Sequence, residues 1–358
     1  MNMAYKVVYI EDLDADSVLH DLSLFDLAIE HCKPTTFTET IANVDSKIPD
    51  LILMDFRLMA GGGEVDAPAI AQYYRSRAID HPEKNIPIVL LSNDSKIHGY
   101  YDDFTSHDLF DFSISKEYLS EKKDKYALLI KELIDSYQTV AELQKQKQEL
   151  IQLLNVPESI KDDLDPRINE TLSSKKFQSN TYMVSAFILN SIVKPIGVLI
   201  GEDVLSARLG VSKSSRDWNL LCEQLDEVAY KGLYSGAYRR WWSTGVDNWW
   251  LRDICETNHL RRLSSDQKLE ALHLKFGDMQ LNKVEGDPMT KTDSFWSVCQ
   301  YSFVPVDPSE AFEIQPDLTT YPWLEPKYYS FESVRNNDLN DSLTELERIR
   351  FKEIARRK

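Results

Sequence analysis

Five polar residues in the first third of the chain stand where apolar runs stop. Glu11 and Asp12 follow KVVYI (6–10), Asp55 follows DLILM (50–54), Ser92 follows IPIVLL (86–91), and Lys116 lies just past FDFSI (110–114). Clustered carboxylates are hard oxygen ligands, suited to a divalent ion of the magnesium kind, which takes several such ligands and keeps some of its water. A carboxylate can also act as a nucleophile, and a lysine ammonium is a compact point charge for an anionic group. Each residue alone has a plainer explanation. Asp12 or Asp14 can cap the first helix, and a lysine beside a carboxylate is usually a surface pair of little worth. Those explanations cover the residues singly, not all of them at the ends of successive strands.

The elements that would position them alternate. Lys6–Ile10, Asp50–Met54 and Ile86–Leu91 read as short buried strands, Phe110–Ile114 as a further strand, and Thr35–Thr38 as a weaker one. Ser17–His31, Glu39–Lys47 and Ala67–Ile79 read as helices between them, the second ended by Pro49. This alternation predicts an α/β fold, a doubly wound five-stranded parallel sheet with helices on both faces. Ligands of such sheets bind at the carboxyl ends of the strands, where the five residues lie.

An acidic pair, a lone aspartate, a serine and a lysine, each after its own strand, resemble the receiver domain of two-component response regulators over about residues 4–120. The resemblance implies that Asp55 accepts a phosphoryl group from a histidine kinase and becomes an aspartyl-phosphate. It further implies a magnesium ion held by Asp12 and Asp55, with Glu11 holding a coordinated water and the backbone carbonyl of Arg57 as a third protein ligand. Lys116 would pair with a phosphoryl oxygen, and Ser92 would donate its hydroxyl to another. The chain departs from the family pattern at the switch positions. Glu117 follows Lys116 where proline is common, Ser113 stands where Tyr or Phe is usual with Phe112 one place earlier, and Asn93 replaces a small residue. The loop MAGGGEVDAP (59–68) is longer than usual and glycine-rich. The catalytic set is intact and the aromatic relay is altered.

Composition bounds the rest. The chain has 358 residues, of which 42% are apolar and 28% charged, as in ordinary globular proteins with room for two or three domains. The expected division is a receiver domain over 1–120, a long helix and linker over 121–160, and an output or interaction domain of mixed α/β character, helical then strand-rich, over 161–358. The net charge is −17, with −13 on residues 1–159 and −4 on 160–358. The acidic part would be repelled by nucleic acid, and the remainder is nearly neutral. No apolar run approaches the ~20 residues of a membrane helix, and no signal peptide is evident. Cys32, Cys222, Cys255 and Cys299 show no paired spacing, which argues against a zinc site or a disulfide framework and fits the cytoplasm.

Residues 118–154 read as one helix. Tyr126, Ile130, Leu133, Tyr137 and Val140 form a partial seam that offers either a homodimer contact or ordinary packing, and Pro157 and KDDLDP (161–166) make 155–180 the linker candidate. Beyond it, Asn180–Val193, Glu202–Leu209 and Ser214–Tyr230 read as helical, and Leu339–Lys358 as a charged helix. All seven tryptophans lie in this region. Those of YRRWWSTGVDNWW (238–250) suit a core, a partner surface or base stacking. The stretch 202–225, with Gly210 at its turn, resembles a helix-turn-helix with Lys213, Ser214, Ser215 and Arg216 on the following helix, but its own acidic residues oppose DNA. Asp247, Asp253, Glu256 and His259 are the sole hint of a metal hydrolase, and no other enzyme signature is present. The preferred function is a non-enzymatic response regulator that signals through protein–protein contacts of its C-terminal region. The alternatives are a phosphate sink or relay, and a DNA-binding regulator through 202–225; a nucleic-acid partner is not expected.

Overall fold

Strands β1 (Tyr5–Ile10), β3 (Leu51–Asp55) and β4 (Ile88–Ser92) are short, rich in Val, Ile and Leu, and buried almost end to end. With β2 (Leu27–Cys32) and β5 (Phe112–Ser115) they form a five-stranded parallel sheet of order β2-β1-β3-β4-β5. Parallel pairing needs a crossover, supplied before β2 by α1 (Asp16–Ser23), before β3 by α2 (Phe37–Lys47) and before β4 by α3 (Ala67–Asp80). Val8, Ile10, Ile52 and Met54 pack with Ile41 and Val44 of α2 and Ile70 and Tyr74 of α3. Side chains alternate along a strand, so Tyr5, Val7 and Tyr9 face the other way. Tyr5 Oη marks that face by donating to Asp135 Oδ1 at 2.5 Å. Asp135 lies on the long helix α5 (Lys123–Gln146), which follows α4 (Lys116–Glu121). This computed structural model describes residues 5–59, 65–92, 109–317 and 320–356. Asn93, residues 60–64 of the loop 59–68 and the last two residues lie outside that set.

Three local expectations are corrected. The helix expected over Ser17–His31 stops at Ser23, and its second half is strand β2. Asp26 takes a left-handed φ of 57° between them, and the burial of 27–32 fits an edge strand rather than a helical stripe. Thr35–Thr38 is not a strand, because the Thr36 side chain accepts the Glu39 N–H and caps α2. The single helix expected over 118–154 is broken at Lys122, and α5 ends at Lys147, whose φ is 54°.

The described residues belong to two compact units that interleave. Unit 1 is Met1–Leu153 with Pro166–Leu189, and unit 2 is Leu154–Asp165 with Asn190–Lys358. Each unit is thus drawn from two stretches of the chain. In unit 1 the chain returns after Asp165 as α6 (Pro166–Ser173), a short helix at Lys175–Gln178, and α7 (Thr181–Phe187), which packs along α5. Gln144 joins them, donating to Phe177 O at 2.7 Å and accepting from Thr181 Oγ1 at 2.9 Å. Arg75 of α3 stacks over the Tyr182 ring at 3.8 Å and pairs with Asp111, which also accepts the Tyr137 hydroxyl from α5. Ile130, Leu133, Tyr137 and Val140 are thereby buried inside the unit. The partial seam is spent on internal packing, which corrects the expectation that it could join two copies.

Unit 2 is built around α8 (Glu202–Leu209), on which Val204, Leu205, Ala207 and Leu209 join one apolar core with Trp241, Trp249 and Trp250. The antiparallel pair β6 (Leu199–Gly201) and β7 (Arg240–Trp242) carries the first two tryptophans on β7, and α10 (Ser243–Trp249) leads to the second two. The four are between 0% and 3% exposed, so they are core, and base stacking by them is ruled out. Strands in the later part are two-residue pairs, and the terminal helix runs Glu345–Ala355.

Two cations are buried in this core. Arg208 is wholly enclosed and forks onto both oxygens of Glu325 at 2.6 and 2.7 Å. Lys268 is equally enclosed and donates to Phe295 O at 3.1 Å. Burial lowers its ammonium from the ordinary lysine value of 10.5 to about 8; Asp293 and Asp307 oppose this and Arg208 adds to it. Below about pH 8 the ammonium is charged in the folded and unfolded states, and the burial cost falls on the fold. As pH climbs from about 8 to 10.5 the folded state gives up its proton first, so stability rises across that window. The gain is about 3 kcal/mol, and Lys268→Met, which loses one hydrogen bond, is expected to capture about 2 kcal/mol of it at neutral pH. Urea unfolding read by tryptophan fluorescence at pH 7 and pH 9.5 checks this. A variant no more stable than wild type at pH 7, or wild type insensitive to the pH step, refutes it.

Candidate functional site

Strand register brings the five residues to one edge. Ile10 pairs with Met54, Asp55 with Leu91, and Ser92 with Ser115. The residues one step beyond, or at the last step, of four adjacent strands are therefore Glu11, Asp55, Ser92 and Lys116. Glu11, Asp12, Asp55 and Ser92 are buried, and Lys116 keeps 22% of its side chain exposed. The site therefore opens to solvent on the lysine side.

The geometry is that of one cation set between carboxylates. Lys116 Nζ lies 2.6 Å from Glu11 Oε2 and 2.8 Å from Asp55 Oδ1. Asp55 Oδ2 accepts the Arg57 backbone N–H at 2.9 Å. Glu11 Oε1 accepts the Leu13 N–H at 3.2 Å, and Glu11 Oε2 accepts the Tyr9 hydroxyl at 2.6 Å. Burial pushes the Asp55 carboxyl above the ordinary aspartate value, although Lys116 and the Arg57 N–H pull it back. Burial acts on Glu11 in the same sense, but there Lys116, Tyr9 and Leu13 win and hold the carboxyl low. Burial would depress the Lys116 ammonium, yet its pairs with Asp55 and Glu11 raise it. Burial and the bond to Glu11 push the Tyr9 phenol far up, so it stays a donor.

Glu11, Asp12 and Asp55 each offer a carboxylate oxygen, all within 4.8 Å of one another. A buried, all-oxygen donor set of this charge fits a hard divalent ion of the magnesium kind and offers nothing to softer metals. Asp247, Asp253, Glu256 and His259 form no comparable group among the described residues. Asp247 is half-buried, and burial raises its carboxyl.

Of the switch positions, Ser113 sits on β5 opposite Leu90 and is half-buried, Phe112 beside it is buried, and Glu117 is in the first turn of α4. The proposed helix-turn-helix is not formed as expected. Gly210 does take the left-handed φ of 71°, but the next helix, α9 (Trp218–Glu223), starts eight residues later, after Val211 has bridged to Lys283. Lys213 pairs with Asp203. Helix α8 is buried along most of its length, so it cannot cross a phosphate backbone.

Sequence reasoning missed Tyr9 and His31. A ring nitrogen of His31 lies 2.8 Å from the Glu11 carbonyl oxygen. The Tyr9 signal was present: two residues before Glu11 on a strand is the same face of the sheet.

No family model matches the chain, and no curated protein matches it. Among solved structures it is similar to the beryllofluoride-activated N-terminal receiver domain of RstA from Klebsiella pneumoniae, at 19% identity over 31% of this chain and 85% of that one, with a TM-score of 0.25. A CheY-like response regulator receiver domain from Methylobacillus flagellatus matches at 18% identity over 31% and 86%, also with a TM-score of 0.25. NtrX from Brucella abortus, solved with ADP, matches at 18% identity over 40% and 29%, with a TM-score of 0.29. The receiver domains cover the N-terminal third and leave the C-terminal region unrecognised. The chemistry therefore rests on the residues of this chain.

Proposed function

We propose that the chain is a response regulator whose Asp55 accepts a phosphoryl group from a phosphohistidine of a histidine kinase. The observation that supports this most is the single row of Glu11, Asp55, Ser92 and Lys116, with the ammonium between two buried carboxylates. An Asp55 oxygen forms a bond to phosphorus as the P–N bond of the donor breaks, and the bonding pair returns to the imidazole nitrogen. Lys116 offers its charge to a phosphoryl oxygen, and Ser92 offers its hydroxyl to another. Asp12 and Asp55 would hold magnesium directly, Glu11 through a water, and Arg57 through its carbonyl. When bound, the ion offsets repulsion among the carboxylates and the incoming oxygens. The chain acts on no other substrate in this reading, and unit 2 signals by contact with a further protein in the cytoplasm.

The altered switch position supports a second reading. Ser113 offers no aromatic ring to rotate, which suits a phosphate sink that competes for phosphoryl groups without direct output. Incubation with acetyl phosphate and magnesium should add one phosphoryl group, seen as a mass increase and lost on chelation of the metal. No mass increase in magnesium would remove the phosphoacceptor reading in both forms, and equal labelling in chelator would remove its metal dependence. Among the described residues no helix is long and apolar enough to cross a membrane.

A further inference from the structure

We infer that Tyr9 is a positioning residue for this site, holding Glu11 so that its carboxylate serves Lys116 and the metal's water shell rather than swinging into the metal itself. The inference rests on the phosphoacceptor reading. Tyr9 is fully enclosed, at 0% exposure, on the α5 side of the sheet, and its hydroxyl reaches Glu11 Oε2 at 2.6 Å. A carboxylate has about four acceptor positions. On Glu11, Tyr9 and Lys116 share Oε2, and Leu13 takes a position on Oε1. Three bonds thus fix both oxygens. The backbone is pinned as well, since Glu11 N–H donates to Cys32 O at 3.3 Å and the Glu11 carbonyl meets the His31 ring. Glu11 is thus a member of the acidic set whose direction is built in from beneath.

Removing the hydroxyl while keeping the ring leaves Glu11 Oε2 with Lys116 alone. Partners of this kind typically contribute 10–100-fold to metal affinity by orienting the groups around the ion. The test is calorimetric titration of the unphosphorylated full chain with magnesium chloride, for wild type, Tyr9→Phe, Glu11→Gln and the double variant. Tyr9→Phe is expected to weaken magnesium about 10-fold. In the Glu11→Gln background the same change is expected to have little effect, because the group it acts through has lost its charge. Unchanged affinity in Tyr9→Phe would overturn the inference while leaving the phosphoacceptor reading intact. An equal loss in both backgrounds would overturn it too, since the hydroxyl would then act through packing. Absence of magnesium binding by wild type would overturn the metal-dependent reading and this inference with it. The thermal midpoint of each variant separates a local effect from a folding failure.

Discussion

Asp55→Asn is expected to reduce phosphoryl labelling to background. The amide keeps the size of the carboxylate and its place at the end of β3, but its oxygen carries no full negative charge with which to attack phosphorus. It also removes one of the two carboxylates that grip Lys116, leaving the ammonium to Glu11 at 2.6 Å. The effect should be all or nothing, unlike the graded loss expected from Tyr9→Phe. Mass spectrometry after acetyl phosphate treatment measures it, and peptide mapping locates any residual label. Asp12 stands within the same 4.8 Å group, so it is a candidate substitute nucleophile. Label at full stoichiometry in the variant, or label mapped to Asp12 in wild type, would reassign the acceptor.

The second large effect lies in unit 2. Arg208→Ala is expected to destabilise that unit by about 3–5 kcal/mol, the usual cost of removing one partner from a buried ion pair. The guanidinium donates to Trp296 O at 3.2 Å, to Ser243 Oγ at 2.6 Å and to both oxygens of Glu325, and lies 4.1 Å over the Trp296 ring. Truncation removes the donor from these acceptors, of which Glu325 keeps 28% of its side chain exposed, and leaves a void. Arg208→Met with Glu325→Leu removes both charges and refills the space, and is expected to come within about 1 kcal/mol of wild type or above it. All seven tryptophans lie between 218 and 323, in unit 2, so the urea transition seen by indole fluorescence reports on that unit. A single variant as stable as wild type would show that the pair contributes no net stability.

Much of unit 1 was legible because its signals are local and repeated. Apolar runs ending in a polar residue gave four of the strands, and with them the row of Glu11, Asp55, Ser92 and Lys116. The edge strand was not legible, because LAIEHC has one face toward solvent and Leu27 and Ile29 also fit a helical stripe until Asp26 is known to turn left-handed. The site's side-chain geometry was half legible. Residue types gave the acidic set and the spacing along β1 offered Tyr9, but the contact of His31 with Glu11 depends on β1 lying beside β2, a pairing that single-sequence periodicity does not fix. The fate of the seam on α5 was equally hidden, since an apolar stripe does not say whether its cover comes from the same chain. Here α1, α4 and α7 share that task, and α7 arrives some forty residues later. In unit 2 the short strands are held by contacts distant in sequence, and aromatic content alone could not separate core from surface.

The interleaving of the units has a consequence during synthesis. The main part of unit 1 ends at Leu153, but its remainder, Pro166–Leu189, is made only after Leu154–Asp165, which belongs to unit 2. At ~5–20 residues per second, a ribosome takes roughly 2–7 s to pass from 153 to 189. During that interval the nascent chain presents α5 without the α7 helix that later packs along it. A stop codon placed after Leu153 would make that interval permanent, so a gene cut at the end of the first segment of unit 1 would yield a sticky fragment. The chain is arranged so that its first unit is finished by a segment translated after the second has begun.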